Sequence, residues 1–260
     1  MTNQNPQFLN LSRSRKIACL TSNSPEKTSS GILWANGFRS DMTGIKASRI
    51  STWATGRNLS CVRFDYSGHG ASSGQFENAT IGDWVEECTA VFNQLTRGPQ
   101  VLVGSSMGGW IVLLVTLAHL KQVGAENSRI KGLVLIAPAV DMTEDLMWQK
   151  FPPGIRQGLK QTGVFMRPSA YDDVRYPITW KLIEEGRRHL LFGGEKFNTH
   201  CPIRIIHGRK DVDVPWQQSE KLVAHLTNDD VELDLIEDGE HRLSHDEDIE
   251  RLITTIAELA

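Results

Sequence analysis

The chain has 260 residues, 40% hydrophobic and 23% charged, which suffices for one large core and excludes intrinsic disorder. Its formal net charge of -3 leaves no electrostatic footprint for nucleic acid or for an anionic membrane, and neither is expected as a partner. The longest largely apolar run, residues 110–118, is about half a membrane span, so no membrane insertion is expected.

The first sixteen residues (MTNQNPQFLNLSRSRK) hold no apolar stretch of the kind a signal peptide needs. Arg13, Arg15 and Lys16 read as a short polar lead-in rather than a transit segment, and a cytoplasmic location is expected. An edge strand is predicted at 17–21 and a buried strand at 31–36 (GILWAN). A helix at 44–55 leads to a strand at 60–66 (SCVRFDY). The next helix spans 80–96, with Thr80 and Asp83 forming a variant capping box. A third strand at 100–104 (QVLVG) runs directly into a helix at 107–123. A fourth strand follows at 131–137 (KGLVLIA).

Residues 141–200 then break the rhythm, with four prolines, several aromatics and no strong strand. Sixty residues exceed ordinary loop length, so a small helical insertion over the carboxyl ends of the strands is expected. Alternation resumes with a strand at 202–207 (PIRIIH) and a helix at 215–226 with Pro215 in its first turn. A strand at 231–237 and a helix at 246–259 close the chain. Several strands are near-continuous apolar runs, the pattern of parallel strands covered on both faces, so a doubly wound α/β sheet is predicted. The four cysteines, Cys19, Cys61, Cys88 and Cys201, form no CxxC pair and no zinc-ligand spacing. They read as free thiols in a reducing compartment, with no metal site and no disulfide framework.

Gly104-Ser105-Ser106-Met107-Gly108 fits the pattern G-x-S-x-G. So does Gly70-Ala71-Ser72-Ser73-Gly74, but no strand precedes Ser72 and no helix follows it. Ser106 has both, which makes it the candidate nucleophile. A serine on a tight strand-to-helix turn tolerates no side chain two residues either side, hence Gly104 and Gly108. The helix behind Ser106 also places partial positive charge where an oxyanion would form.

A serine hydroxyl needs a general base, and the base an orienting carboxylate. Sheets built around such an elbow carry them in the order Ser, acid, His. Of eight histidines, His225, His241 and His245 follow the strand that ends at His207. His225 falls within a helix. His241 sits in a loop after the last strand (EDGEHRLS) and is the candidate base, with His245 as its rival. Asp211, in the turn after PIRIIH, is the candidate acid, with Asp213 and Asp141 as alternatives. His207 precedes the acid and is read as structural. One oxyanion donor should be the Met107 N–H. The other should come from the loop after an early strand (Asn36-Gly37-Phe38-Arg39), with the Phe38 N–H as the candidate.

GSSMGGW, HGRKDVDVP and GEHRLS, in this order, resemble an α/β-hydrolase serine esterase over nearly the whole chain. NGFRSDMTGIKA, VRFDYSGHGASSG, VGSSMGGWIVLL and YPITWKLIEEGRRHLL narrow the resemblance to the family of α/β-hydrolase domain-containing protein 10. The resemblance implies an α/β-hydrolase fold: one domain over 1–260, a mostly parallel doubly wound sheet, and a small helical cap insertion at 141–200. It also implies a Ser106–Asp211–His241 triad that needs no metal or organic cofactor. The implied substrates are acyl thioesters on S-acylated proteins and acyl glucuronide esters. Animal members are mitochondrial, and the absence of an evident transit segment makes this chain look like a bacterial relative. A general small-molecule or lipid carboxylesterase and a non-catalytic binding protein of the same fold are the competing readings. Cap residues Met142, Leu146, Met147, Trp148, Phe151 and Phe165 form either an acyl pocket or the cap's own core. Arg39 meets either solvent or a substrate carboxylate.

Overall fold

The computed structural model describes residues 5–11, 15–22, 30–168, 175–228 and 230–260, so Arg13 lies outside the described residues. In chain order the strands are β1 (Gln7–Asn10), β2 (Lys16–Ser22), β3 (Gly31–Ala35), β4 (Ser60–Phe64), β5 (Gln100–Ser105), β6 (Ile130–Ile136), β7 (Val164–Pro168), β8 (Arg175–Thr179), β9 (Ile203–Gly208) and β10 (Val231–Ile236). The α-helices are α1 (Ile45–Gly56), α2 (Ile81–Leu95), α3 (Met107–Val123), α4 (Pro153–Thr162), α5 (Trp180–Gly186), α6 (Gln217–His225) and α7 (Asp246–Leu259). Among the described residues the main sheet has the order β1-β2-β4-β3-β5-β6-β9-β10, parallel from β4 to β10 and antiparallel at its β1-β2 edge.

Alternate residues of the central strands bury on opposite faces. Leu33, Leu102, Leu133 and Leu135 join one cluster with Trp84, Val91 and Phe92 of α2 and Trp110 of α3. Ile32, Trp34, Val101, Val103, Val134 and Ile136 join the other, under Ile50 of α1 and Leu252 and Ile256 of α7. Both faces are thus apolar, which is why these strands read as unbroken hydrophobic runs. Helix α2 starts where its cap dictates: the Thr80 hydroxyl accepts from Asp83 N–H, and the Asp83 carboxylate accepts from Thr80 N–H. Helix α6 begins at Gln217, so Pro215 precedes the helix instead of occupying its first turn.

Two larger features also depart from the sequence expectation. Gln7–Asn10 of the polar lead-in pairs with β2 as an edge strand; four mostly exposed residues carry too little apolar periodicity to announce it. Residues 141–200 hold α4, α5 and short π and 3-10 turns, but also the antiparallel hairpin β7-β8. Pro168 and Pro177 read as breakers in sequence, and a two-stranded ribbon tolerates them.

The ends of this segment are joined to each other: the Asp141 carboxylate accepts Leu191 N–H at 2.8 Å and Phe192 N–H at 2.9 Å. Two contacts tie the segment to the helices flanking the sheet. Glu185 accepts Gly82 N–H at 3.0 Å, and Trp110 Nε1–H donates to the His189 carbonyl at 3.2 Å.

Candidate active site

Ser106 stands between β5 and α3 with φ 53° and ψ -117°, in the left-handed half of backbone space where a non-glycine residue is strained. The turn is over-determined. Ser106 N–H donates to the Ile136 carbonyl at 2.8 Å, and its own carbonyl accepts from Gly109 and Ala139 N–H. A Cβ on Gly104 would lie 2.4 Å from the Gly108 carbonyl oxygen, and one on Gly108 would lie 2.1 Å from the Ala35 carbonyl oxygen. Backbone meets backbone at both places, so these two positions admit only glycine. Met107 is the first residue of α3, where no carbonyl of the helix reaches its N–H.

The loop after β3 comes down onto this turn. A Cβ on Gly37 would lie 3.3 Å from the Ser106 Cβ. Asn36 braces the loop from below: its Oδ1 accepts Trp34 Nε1–H, and its Nδ2 donates to the Phe64 carbonyl, both at 2.6 Å. His69 braces it from the side. Arg39 N–H donates to His69 Nε2 at 3.0 Å, so the ring proton sits on Nδ1 and points to the Ser67 carbonyl at 3.2 Å. Burial lowers the His69 pKa to about 4, which keeps the ring neutral and able to accept. The Phe38 ring is gripped by Phe76, Trp84 and Tyr176. Sequence reading placed Asn36 in the oxyanion loop but missed His69 as a brace, because its partner Arg39 is distant in the chain.

Asp211 lies in the turn after β9, with its carboxylate fully buried. Its Oδ1 accepts Asp213 N–H at 2.9 Å and Val214 N–H at 2.8 Å. Its Oδ2 lies 2.6 Å from His241 Nδ1 and 3.2 Å from His207 Nε2. Burial alone would raise this carboxyl, but hydrogen bonds from His207 and His241, the His241 charge and the Val214 N–H outweigh it and hold it at about 2. His241 is partly exposed and lines a cavity of about 350 Å³ together with Gly37, Phe38, Ser106, Met142 and Met147. Asp211, Asp213 and His241 bring potential metal-ligand atoms within 4.8 Å of one another. Both Asp211 oxygens are already saturated by the four donors named, so a cation would have to break that set.

The alternatives take other places. Ser72 is a loop brace: its hydroxyl donates to the Asp65 carbonyl at 2.6 Å and accepts Ala18 N–H. His245 is exposed at the N-cap of α7. His225 lies in α6 with its ring against Phe192 and Phe197. Asp141 is spent on the backbone of 191–192. Asp213 lines the cavity. The six cap residues divide. Met142, Leu146 and Met147 face the cavity, whereas Trp148 packs tilted against Trp180 and Phe151 edge-on against Phe165 within the cap. Arg39 is exposed and lines the cavity, with its guanidinium 4.5 Å from the Tyr176 ring centre.

A parallel sheet with a strained serine elbow at the carboxyl end of a central strand defines an α/β-hydrolase. A family model described as "Serine aminopeptidase, S33" matches residues 33–248, and the chain belongs to that hydrolase family. Within it the chain groups with the ABHD10 proteins: it is 34% identical over 232 residues to human "Palmitoyl-protein thioesterase ABHD10, mitochondrial", covering 89% of this chain and 73% of that protein. The structure of mouse α/β hydrolase domain-containing protein 10 superposes with TM-score 0.86 at 31% identity, over 98% of both chains. A crystal structure from Agrobacterium vitis S4 superposes with TM-score 0.90 at 38% identity, over 98% of this chain and 99% of that one. A bacterial relative therefore shares the whole fold. Among the described residues no helix is long and apolar enough to cross a membrane.

Proposed function

We propose that this protein is a serine hydrolase that cleaves acyl thioesters or carboxylic esters through an acyl-enzyme, with Ser106 as nucleophile, His241 as base and Asp211 as acid. The observation that carries this is the 2.6 Å contact of His241 Nδ1 with Asp211 at the cavity that Ser106 enters on its strained elbow. With the Nδ1 proton committed to Asp211, His241 Nε2 is the basic nitrogen that faces outward.

In the proposed sequence Ser106 Oγ attacks the acyl carbon as its proton passes to His241 Nε2. The N–H groups of Met107 and Phe38 receive the oxyanion. The bond to the thiol or alcohol then breaks, and that group leaves with the proton from His241. Water repeats the sequence: its proton goes to His241, its oxygen to the acyl carbon, and Ser106 Oγ departs reprotonated as the free acid is released. These residues act within a single domain over 1–260, with 141–200 as a cap over the site. The cavity wall of Ala139, Met142, Leu146 and Met147 suits the acyl chain. The four free cysteines Cys19, Cys61, Cys88 and Cys201 fit a reducing compartment such as the cytoplasm.

One observation favours acid-bearing esters such as acyl glucuronides as a second substrate class. Among the described residues, Arg39, Lys46, Arg167 and Arg242 line the same cavity with Asp213 as the one acid, in a chain of net charge -3. A leaving group with a carboxylate would meet this positive rim.

The test is hydrolysis of matched acyl esters, acyl thioesters and acyl glucuronides of several chain lengths by wild type and Ser106→Ala. Wild type is expected to turn over and Ser106→Ala to fall at least about 10³-fold. An inert wild type whose Ser106 also resists a fluorophosphonate probe would overturn the enzyme reading and leave a binding protein of the same fold.

A further inference from the structure

His207 was read from sequence as a structural residue of the His-Gly turn. The structure shows it in direct contact with the acid. It is the next-to-last residue of β9, fully buried at 0% exposure, and each ring nitrogen has a defined partner. Nε2 lies 3.2 Å from Asp211 Oδ2 and 2.9 Å from the Val214 carbonyl oxygen. Both are acceptors, so the proton belongs on Nε2. Nδ1 lies 2.7 Å from the hydroxyl of Ser219, itself 0% exposed on α6. With Nε2 protonated, the neutral ring accepts there, and Ser219 O–H donates. A buried relay therefore runs from Ser219 O–H through His207 to Asp211 Oδ2, and the same oxygen receives His241 Nδ1–H at 2.6 Å.

We infer that His207 is a positioning residue for the proposed reaction: from beneath Asp211 it fixes which carboxylate oxygen faces His241 and how strongly that oxygen pulls on the imidazole. The inference rests on the Ser106–His241–Asp211 reading above. Its physical basis is the count of donors on the carboxylate. Two backbone N–H groups hold Oδ1, and two histidines from different elements hold Oδ2. Four donors in four directions leave the carboxylate no freedom to rotate, and His241 is thereby aimed. The second histidine also draws charge from Oδ2, so it moderates the hydrogen bond that Oδ2 makes to His241. A side chain that merely fills space could do neither. The charged groups around the pair are Asp213 on the same turn, Lys46 of α1, and Arg242 beside His241.

The test compares wild type with His207→Leu, His207→Gln and Ser219→Ala. Glutamine carries an N–H at about the distance of the imidazole Nε2, whereas leucine carries none. Three readouts are taken: kcat and KM on an acyl ester, the pH at which the His241 ring resonances titrate by NMR, and thermal midpoint. His207→Leu is expected to lose about 10- to 100-fold in kcat with KM within about twofold. Its His241 titration is expected to move upward, because Oδ2, relieved of one donor, holds the charged imidazole more tightly. His207→Gln should restore most of the kcat and return the titration to the wild-type pH, and Ser219→Ala should show a smaller loss in the same direction. Equal losses in the leucine and glutamine variants, or kcat falling in step with thermal midpoint while the His241 titration stays put, would reduce His207 to packing. Should His207→Leu fail to fold, the other two variants decide. The NMR readout needs no turnover. A titration that moves in a protein without hydrolase activity would sink the proposed function and keep the His207 relay.

Discussion

Two aspartates of this molecule occupy matching positions and have opposite surroundings. Asp141 follows β6 and Asp211 follows β9, neighbouring parallel strands of one sheet. Both are buried, at 2% and 7% exposure, and both accept two backbone N–H groups. Asp211 also receives two histidines, which hold its carboxyl at about 2 despite burial. For Asp141 burial prevails over the Leu191 and Phe192 N–H groups, and its carboxyl is raised. One carboxylate is arranged to serve an imidazole and the other to anchor a chain reversal fifty residues away. Position after a strand does not decide what a buried carboxylate serves; the partners on its oxygens do.

The sharpest way to break this contrast is to make both aspartates amides. Asp211→Asn keeps the shape but turns an acceptor into a group that can present N–H to His241, and it loses the charge that stabilises the imidazolium. We expect kcat to fall about 10³- to 10⁴-fold with the fold retained. Asp141→Asn should keep kcat within about tenfold and lose about 1 to 3 kcal/mol of stability, because Leu191 and Phe192 lose a charged acceptor. Steady-state kinetics and urea unfolding of both variants settle it. If Asp141→Asn were the inactive one, the acid assignment would have to move one strand across.

The same pair should also separate by pH. Asp211 is depressed in the folded state, to about 2 from an ordinary 3.8, so its contribution is fully present above 3.8 and is lost as pH falls toward 2. The size is on the order of 2 kcal/mol. Asp141 is raised in the folded state, so the folded protein binds the extra proton just above 3.8 and stability falls as pH rises through that window. Unfolding midpoints of the two amide variants between pH 6 and 3 should therefore deviate from wild type with opposite slopes. Parallel curves would show that the two carboxylates do not differ as described.

How much of this contrast the sequence contained follows from range. Asp211 was legible because its turn, HGRKD, is local, and Ser106 because a strand, two glycines and an apolar helix adjoin it in ten residues. Asp141 could only be ranked, since its role depends on the N–H groups of Leu191 and Phe192. The link from His207 to Ser219 was hidden by the twelve positions that separate them, and the β7-β8 hairpin by its prolines. Asp141 and Asp211 looked alike in sequence because a five-residue window contains the turn but not the partner.

The smallest expected effect concerns what the Asp141 anchor positions. The chain just beyond it carries Met142, Leu146 and Met147 on the cavity wall, while the next residue, Trp148, packs against Trp180 with ring centres 5.2 Å apart. Met147→Ala enlarges the proposed acyl wall by removing about three heavy atoms' worth of contact, each worth a few tenths of a kcal/mol. Its kcat/KM should fall a few-fold for medium-chain acyl substrates and less for the longest ones, which reach past the gap. Trp148→Ala removes far more surface but from the cap's own packing, so it should lower thermal stability while leaving the chain-length profile unchanged. A profile that moves with Trp148 and not with Met147 would place the acyl chain on the outer side of the cap, away from the segment that Asp141 holds.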